Sequence, residues 1–583
     1  MSDNSNLLIN IIQIDEELTE KISKIFNISK HVAGIISKIE MNEIESFLNP
    51  KLQKLLPNPD VFVDMNLAVD HLYEAIINKK KISILADYDV DGISSASILK
   101  IFLKWIGIEV EVIIPDRFVD GYGPNNRLFQ EMHKNGTNLI ITLDCGTVSF
   151  DSINFANSLS MKVIVIDHHI SDLDKPNAVA VINPNRKDCN SGSHYFCAAG
   201  VTFMTCVALN KHLKEKEFYK SDIPNLLNLV HFVAIATICD MMKIIGCNRA
   251  FYSTGMQILN KNIDHFGNIS EKYKIAFNGI KALMEVSGLS NIKSDYEIGF
   301  ILGPMINAGG RIKKGIIGLN LLTSESYNEA LNLANELKIL NNERKLIQEK
   351  IIDEISKKSQ EDESRVIFHF SEDFHEGIIG IVASKIKDLV HKPVIIGSII
   401  EQNEIKMIKA SCRSIDGINI GSIVLKALSK ELIIKGGGHA GAAGFTCLHS
   451  KYKELKDFIE HEIKDLALSI FQKKIDVYEI PLMNLNESFA RDLIKLEPFG
   501  IENPRPNFLI EGALIDYNII KEKHYRIFLK KDNKSISIIF FNCSGSENEV
   551  TIRSKVRQEV KIICNIGLSQ KYGIEIIGKY VLN

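Results

Sequence analysis

The segment Lys81-Ile-Ser-Ile-Leu-Ala-Asp-Tyr-Asp-Val-Asp-Gly92 carries the clearest structural signal in the chain. Its first half, Lys81 to Ala86, is short, apolar and rich in β-branched residues, which predicts a strand buried on both faces. Its second half places Asp87, Asp89 and Asp91 directly after that strand and before a helix-compatible stretch. Carboxylates crowded at one strand end repel each other, and a bound cation is the simplest way to neutralise them. A solvated acidic turn is the competing interpretation.

The same pattern recurs along the chain, which favours a metal site over a solvated turn. A β-branched run ends at Leu143 and leads into Asp144, and another ends at Ile166 and leads into Asp167-His168-His169. Alternation of such runs with helix-compatible stretches predicts a parallel α/β sheet. Because the carboxyl ends of parallel strands share one crevice, we expect these acids to converge there. Asp240 follows a further apolar run and is costly to bury unless it is paired or bound to metal.

Such a donor set has a definite chemistry. Several aspartates with one or two histidines suit Mn²⁺ or Mg²⁺, because carboxylates favour hard cations and imidazole tilts the preference towards manganese. Two ions roughly 3.5–4 Å apart can activate a water for in-line attack on phosphorus. The sequence therefore predicts hydrolysis of a phosphodiester or a phosphoanhydride.

Composition sets the broad class. The 583 residues carry 69 Lys+Arg and 72 Asp+Glu, a net charge of −3, with 45% hydrophobic residues, so the chain is neither a basic tail nor an acidic disordered protein. We expect a multidomain cytoplasmic protein. The acidic N-terminus argues against a secretory signal, and the apolar runs along the chain are too short for a transmembrane helix. The 10 cysteines form no CxxC pair, which favours reduced thiols.

The organisation predicted downstream is a long helix, a second α/β domain and a β-rich tail. Glycine and proline are absent between about 327 and 361, where apolar residues recur at three- and four-residue steps. The short alternating strands after Glu479 predict a small β-barrel of the OB-fold type. The predicted domains are an N-terminal helical segment (1–55), the catalytic domain (56–325), the connecting helix (326–361), a substrate-binding domain (362–470) and the barrel (471–583).

The ordered motifs resemble those of a known superfamily, the DHH phosphoesterases. Four of them carry the match: Asp87-Tyr-Asp-Val-Asp, Asp144-Cys-Gly, Asp167-His-His and Asp240. Further motifs resemble the RecJ-type exonucleases within that superfamily: Phe47-Leu-Asn-Pro50, Asp116-Arg-Phe-Val-Asp-Gly-Tyr-Gly123, Asn307-Ala-Gly-Gly-Arg311, His375-Glu-Gly-Ile-Ile-Gly380, Ser411-Cys-Arg-Ser414, Gly437-Gly-His-Ala440 and Leu496-Glu-Pro-Phe-Gly500. The resemblance spans nearly the whole chain. It implies a DHH domain, a DHH-associated domain and a single-strand-binding barrel.

The resemblance also implies roles for the acidic motifs. Five residues are expected to hold two ions: Asp87, Asp89, Asp144, His168 and Asp240. Asp144 is expected to bridge them, while Asp91, Asp167 and His169 orient the ligands or face a phosphate, with His169 counted among the catalytic residues.

A second set of residues suits a bound phosphodiester, which needs charge-assisted donors around its oxygens. The predicted substrate-binding residues are Arg117, Arg311, His375, Ser411, Arg413, Gly437, Gly438 and His439. The glycines allow backbone amides to approach a phosphate closely. The chain departs from the family pattern at three positions, Met305, Gly309 and Phe374. An arginine is usual at position 305, and we expect its absence to weaken one substrate contact.

The β-rich tail interleaves basic and aromatic residues, Tyr525 and Arg526 among them, as single-strand-binding grooves do. The resemblance implies a monomeric 5′→3′ exonuclease of single-stranded DNA that releases mononucleotides in repair and recombination, with a helicase and a single-strand-binding protein as partners. One alternative is a DHH phosphodiesterase of short oligonucleotides or cyclic dinucleotides. Another, less favoured because every ligand type is present, is a non-catalytic replication scaffold.

Overall fold

The computed structural model describes residues 7–171, 173–220, 222–359, 364–402, 404–569 and 573–582. The chain divides into two compact units. The first unit comprises Glu45–Arg344 and Glu497–Pro504, and the second comprises Met1–Ile44, Lys345–Leu496 and Arg505–Asn583.

The strands within the described ranges are numbered in chain order. They are β1 Leu7–Ile11, β2 Ile82–Ala86, β3 Glu111–Ile113, β4 Leu139–Leu143, β5 Lys162–Ile166, β6 Ala180–Ile182, β7 Ile367–Ser371, β8 Val394–Gln402, β9 Ile405–Arg413, β10 Lys435–His439, β11 Ala442–Leu448, β12 Lys473–Glu479, β13 Phe508–Ile520, β14 His524–Lys531, β15 Lys534–Phe540, β16 Glu559–Ser569 and β17 Gly573–Leu582.

The α-helices within the same ranges are numbered likewise. They are α1 Glu16–Phe26, α2 Lys30–Ile36, α3 Ile44–Leu48, α4 Leu52–Leu55, α5 Met65–Ile77, α6 Val90–Trp105, α7 Asn126–Lys134, α8 Phe150–Ser158, α9 Ala198–Glu215, α10 Val230–Cys239, α11 Gly246–Asp264, α12 Glu271–Val286, α13 Gly303–Ile312, α14 Ile316–Leu322, α15 Tyr327–Ser359, α16 Ile379–Val390, α17 Ile420–Ser429, α18 Tyr452–Ile463, α19 Glu487–Ile494 and α20 Glu547–Ser554. None of the described helices has both the length and the apolar character that crossing a bilayer requires.

The first unit is built on a parallel five-stranded sheet of order β3-β2-β4-β5-β6, as predicted. Strands β2 and β4 are buried along their whole length. One face of the sheet packs on residues of α5, α6 and α9, and the other packs on residues of α7 and α8. The strand ends therefore project from a sheet covered on both sides, which fixes the residues that follow them.

The second unit contains a smaller α/β sheet and a barrel. The sheet has the order β10-β11-β9-β8-β7, with β7 parallel to β8 and the other pairs antiparallel. The barrel closes through β13-β14-β15-β17-β16, because β13 also pairs with β16. These observations confirm the predicted fold class, an α/β protein with a second α/β domain and an OB-like barrel.

The N-terminal segment is not purely helical as predicted. Leu7–Ile11 forms strand β1, which pairs in parallel with β12 at the edge of the barrel sheet. The pairing joins residues more than 460 positions apart, for example Leu7 with Lys473. Helices α1 to α4 follow it.

The long helix expected from the glycine- and proline-free stretch is present as α15, which has 33 residues. The boundary between the two compact units falls inside it, between Arg344 and Lys345.

Candidate metal centre and phosphate-binding groups

The predicted acids emerge side by side from the sheet of the first unit. Ala86 pairs with Leu143, and Leu143 pairs with Ile166, so the next residue of each strand reaches the same edge. Those next residues are Asp87, Asp144 and Asp167, each no more than 5% exposed. The turn after β2 is tight, because a Cβ on Gly92 would lie 2.4 Å from the carbonyl oxygen of Asp87.

Asp89 and Asp91 shape the helix that follows. Asp89 caps α6, its Oδ1 accepting the N–H groups of Asp91 and Gly92 at 2.9 and 3.1 Å. The buried carboxylate of Asp91 accepts the N–H groups of Ala198 and Ala199 at 2.7 and 2.8 Å. Asp91 thus ties the N-terminus of α6 to that of α9, a link the sequence did not predict.

His168 lies at the centre of the cluster. Its Nε2 is 3.3 Å from Asp144 Oδ1, 3.5 Å from Asp240 Oδ2 and 3.6 Å from Asp91 Oδ2. Asp240 reaches this point from the C-terminus of α10, where its N–H donates to the carbonyl of Ala236 at 2.8 Å. The apolar run before Asp240 is therefore a buried helix whose last turn delivers an acid to the sheet edge.

The chemistry of the cluster fits a hard divalent cation. Within the described residues, Asp87 Oδ1, Asp144 Oδ1 and Asp240 Oδ2 are buried and have no hydrogen-bond partner. Burial and, to a smaller extent, the charges of neighbouring aspartates raise the pKa of all three carboxyls, that of Asp240 to about 9. Buried carboxylates with unused oxygens are unfavourable unless a cation neutralises them.

The donors form three overlapping groups, each close enough together to hold one metal ion. In each group the ligand atoms lie within 4.8 Å of one another. The groups are Asp87 with Asp89 and Asp144, Asp91 with His168 and Asp240, and Asp144 with His168 and His169. Asp144 and His168 belong to two groups each, which places them where two ions can share ligands.

Asp167 holds the second histidine of the motif. Its Oδ1 lies 2.7 Å from His169 Nδ1 and accepts the N–H of His168, while its Oδ2 accepts the N–H of Thr147. Burial opposes ionisation of both groups, but their hydrogen bond lowers the pKa of Asp167 and raises the pKa of His169 to about 9. Asp167 thus contacts both histidines of its motif, and its role in orienting metal ligands, which the resemblance implies, stays a prediction.

Several residues that support this site were not predicted from the sequence. Asn183 Nδ2 donates to the carbonyl of His169 at 2.9 Å, and Asn185 Nδ2 donates to that of His168 at 2.5 Å. The hydroxyl of Tyr122 donates to the carbonyl of Asp144 at 3.1 Å and lies 3.4 Å from His169 Nε2. Side-chain amides that fix backbone carbonyls carry no spacing signal, so only the fold reveals them.

Arginines gather beside the acids, as a phosphate site requires. The guanidinium carbon of Arg117 lies 5.3 Å from the ring centre of Tyr88, in the turn between Asp87 and Asp89. The pKa of Arg311 is lowered to about 10, mainly by burial and also by the positive charges of Arg117 and Arg344. The sequence predicted Arg117 and Arg311 but not Arg344, which lies on α15.

The positions where the chain departs from the family pattern are buried. Met305 is 4% exposed, and the hydroxyl of Ser287 donates to its sulfur at 3.1 Å. A Cβ on Gly309, within α13, would lie 2.8 Å from the carbonyl oxygen of Lys314, so the chain after the helix leaves no room for a side chain there. Phe374 is 3% exposed.

The predicted phosphate-binding residues of the second unit lie on neighbouring strands. Ser411 pairs with Gly444 and Arg413 with Ala442, while Gly438 pairs with Ala443. They are joined there by Gly437 and by the exposed side chain of His439. Arg413 donates to Ser411 Oγ and to Ser384 Oγ, both at 3.0 Å.

His375 stands just before α16 in the same sheet domain. Its Nδ1 accepts the N–H of Gly377 at 3.1 Å, which fixes the ring in the turn. A Cβ on Gly380 would lie 3.2 Å from Ser411 Oγ, so the start of α16 approaches the strand that carries Ser411 and Arg413.

The prediction of Tyr525 as an aromatic platform for nucleobases was wrong. Tyr525 is 0% exposed, its hydroxyl donates to Glu549 at 2.5 Å, and its ring stacks on Tyr517. It points into the barrel with Ile527 because alternate residues of β14 face inward. Arg526 points outward and is exposed, as a strand-binding residue would need to be.

Two further motifs meet in the first unit around one buried arginine. Arg249 is 1% exposed and donates to the carbonyls of Phe47, Glu497 and Pro498 at 3.0–3.4 Å. The segment Glu497–Pro504 is also bound near α10, because Ile244, four residues after Asp240, donates its N–H to the carbonyl of Ile501 at 2.9 Å. The contacts of Arg249 give residues of both motifs a structural role.

Comparison with protein families identifies three domains along the chain. Residues 81–235 match the DHH family N-terminal domain, residues 363–465 match the DHHA1 domain, and residues 475–576 match the RecJ OB domain.

Comparison with individual proteins gives matches along most of the chain. The single-stranded-DNA-specific exonuclease RecJ of Escherichia coli (strain K12) is 31% identical over 479 residues, 79% of this chain and 80% of that protein. The crystal structure of RecJ with Mn²⁺ from Thermus thermophilus has a TM-score of 0.82 at 22% identity, over 100% of this chain and 80% of that one. A structure of exonuclease RecJ bound to manganese has a TM-score of 0.58 at 27% identity, over 71% of this chain and 97% of that one.

Proposed function

This chain belongs to the RecJ family of single-stranded-DNA-specific exonucleases, and from that premise we propose that it removes mononucleotides from the 5′ end of single-stranded DNA. It is a metal-dependent hydrolase that uses Mn²⁺ or Mg²⁺. The observation that carries the proposal is the cluster of buried carboxylates with unused oxygens at the sheet edge of the first unit. The 5′→3′ polarity rests on the resemblance of the motifs.

Five side chains are proposed to hold two ions: Asp87, Asp89, Asp144, His168 and Asp240. When bound, the ions supply Lewis-acid stabilisation of the phosphate and a water acidic enough to attack it. The chain contributes the rigid placement of the donors, since three of them follow buried strands or cap the helix after β2. Asp144, whose Oδ1 lies 3.3 Å from His168 Nε2, is proposed as the carboxylate that the two ions would share.

The neighbouring side chains are proposed to position the substrate rather than the ions. Asp167 keeps His169 protonated and fixed in direction, so that its imidazole can donate to a phosphate oxygen. Arg117 and Arg311 supply positive charge beside the acids, where the charge on a pentacoordinate phosphorus would grow. Arg344 adds a third guanidinium to that cluster.

The second unit is proposed to bind the strand along its length. Its sheet domain offers His375, Ser411, Arg413, Gly437, Gly438 and His439 to the phosphate backbone, and its barrel offers Arg526. We propose that a helicase and a single-strand-binding protein supply the substrate during repair and recombination. We also propose that the enzyme works in the cytoplasm as a monomer, which accords with its 10 free thiols.

The proposed function is tested by comparing linear and circular single-stranded DNA of the same sequence in Mn²⁺. An exonuclease must start at an end, so we expect the linear strand to be converted to mononucleotides and the circle to stay intact. Cleavage of the circle would show an endonuclease. Hydrolysis of dinucleotides alone would support a short-oligonucleotide phosphodiesterase instead.

A further inference from the structure

Two stacked aromatic rings stand exposed in the first unit, and the metal centre does not use them. The ring centres of Tyr296 and Phe300 are 5.0 Å apart and their planes differ by 20°. Tyr296 is 56% exposed and Phe300 is 69% exposed. Large aromatic side chains are normally buried, and their exposure in a pair leaves a flat π surface open to solvent.

The pair is anchored against the helix that delivers Asp240. Phe300 belongs to the segment Glu297–Leu302, which is wound as a π-helix directly before α13. A Cβ on Gly303 would lie 2.4 Å from the sulfur of Cys239, and that sulfur is 3.9 Å from the carbonyl oxygen of Ile298. Cys239 immediately precedes Asp240, so the segment carrying the rings is packed onto the rim of the metal centre.

The buried residues of this segment account for its packing, which does not require the exposed rings of Tyr296 and Phe300. Ile298 and Leu302 are fully buried and hold the segment to α10 and α13. Single turns of π-helix occur often at functional sites, because they displace side chains from the regular helical faces. Here Phe300 is exposed on a segment whose inner face contacts Cys239, the residue directly before Asp240.

We infer that Tyr296 and Phe300 form a stacking platform for one nucleobase of the strand, close to the phosphodiester bond that is cleaved. The inference rests on the proposed function. Every base offers a π-face, so such a platform accepts any sequence. An unpaired base is the proposed occupant, because the segment that carries the rings contacts Cys239, the residue directly before Asp240.

The platform also gives a physical reason for selecting single strands. In a duplex both faces of every internal base are covered by its neighbours, so such a base must leave the stack before it can lie on the rings. A flexible single strand can turn a base outward at a much lower cost. The platform would thus favour unpaired DNA at the metal centre without reading its sequence.

The test is a double-mutant cycle that combines a substitution in the protein with the loss of one base in the DNA. It measures the first cleavage of strands that carry a single abasic site at one of positions 1 to 6 from the 5′ end. For wild type we expect one position at which loss of the base raises KM roughly 5- to 150-fold, with kcat little changed. Phe300→Ala should raise KM for the intact strand by a similar factor. At the sensitive position the abasic site should cause no further rise in the KM of Phe300→Ala.

Controls separate stacking from general damage. Phe300→Trp should restore the wild-type KM, because tryptophan also offers a flat ring. Tyr296→Ala should show a smaller loss at the same position. Leu67→Ala removes a 43% exposed apolar side chain from α5 and should change neither constant.

The outcomes are distinct. If the effects of Phe300→Ala and of the abasic site multiply at every position, or if Phe300→Ala leaves KM unchanged, the platform does not exist. If wild type cleaves none of the strands, the proposed function fails instead.

Discussion

Replacing Asp144 by asparagine should uncouple the protein from its metal ions while leaving the fold intact. Asp144 is 2% exposed, and its Oδ1 lies 3.3 Å from His168 Nε2 without a hydrogen-bond partner in the described part of the chain. Burial raises its pKa, and the charges of Asp91 and Asp89 raise it further. Asparagine keeps the shape of the side chain but removes the charge that these neighbours oppose.

The expected magnitudes follow from linkage. An ion present at 100 times its Kd stabilises the native state by about 2.7 kcal/mol. In a unit of several hundred residues, 1 kcal/mol shifts Tm by about 2 °C, so saturating Mn²⁺ should raise the wild-type Tm by about 5 °C. Asp144→Asn should lose most of that increase. Its Tm without metal should be above that of the wild type, because one buried, repelled carboxylate is gone.

The assay is a pair of thermal melts, with and without Mn²⁺, combined with single-strand hydrolysis. We expect kcat to fall at least about 1,000-fold, which corresponds to about 4 kcal/mol. Asp70→Asn, which removes an exposed carboxylate from α5, is the matched control and should behave as wild type. If Asp144→Asn kept both the Mn²⁺-dependent rise in Tm and the activity, the assignment of Asp144 as a ligand would be wrong.

Three further predictions concern residues that do not bind the ions. Asp167→Asn should lower kcat about 10- to 100-fold with KM for DNA unchanged, because His169 loses its charged acceptor, and steady-state kinetics would contradict this if both constants were normal. Asp64→Asn should cost about 1.5–3 kcal/mol at pH 7. Burial favours a higher pKa for Asp64, but its hydrogen bond with Arg186 lowers the pKa overall. The stabilisation by the Asp64 carboxylate is therefore present above pH ~4 and is lost as the pH falls further. Urea unfolding of wild type and Asp64→Asn at pH 7 and pH 3.5 measures this stabilisation. An equal difference in the free energy of unfolding at the two pH values would refute the prediction. Arg249→Met should reduce the free energy of unfolding by about 2–4 kcal/mol through its lost carbonyl contacts, and a change below about 0.5 kcal/mol would contradict the anchoring role.

The parts of the structure that were predictable are those governed by local pattern. The β-branched runs before Asp87, Asp144 and Asp167 each form a strand, and parallel pairing is enough to bring the three acids together. The cation chemistry then follows from the residue types. Asp240 was identifiable as a costly acid, but only the structure shows that it arrives at the end of a helix.

The parts that were missed depend on distant contacts or on strand phase. The pairing of β1 with β12 joins residues far apart in the chain, and no local signal specifies such a partner. The supporting amides of Asn183 and Asn185 depend on loop geometry. The burial of Tyr525 could have been predicted from the alternation of β14, because Tyr525 and Ile527 are two residues apart and face the same side. The basic residues beside Tyr525 suggested an exposed ring instead.

The proposed activity is best tested by digesting single- and double-stranded DNA labelled at either the 5′ or the 3′ end, with Mn²⁺ or with a chelator. We predict that the 5′ label on a single strand is released at once as a mononucleotide, whereas the 3′ label stays on progressively shorter strands. Duplex DNA and chelated reactions should remain intact. Immediate release of the 3′ label, equal digestion of duplex, or full activity with the chelator would contradict the account.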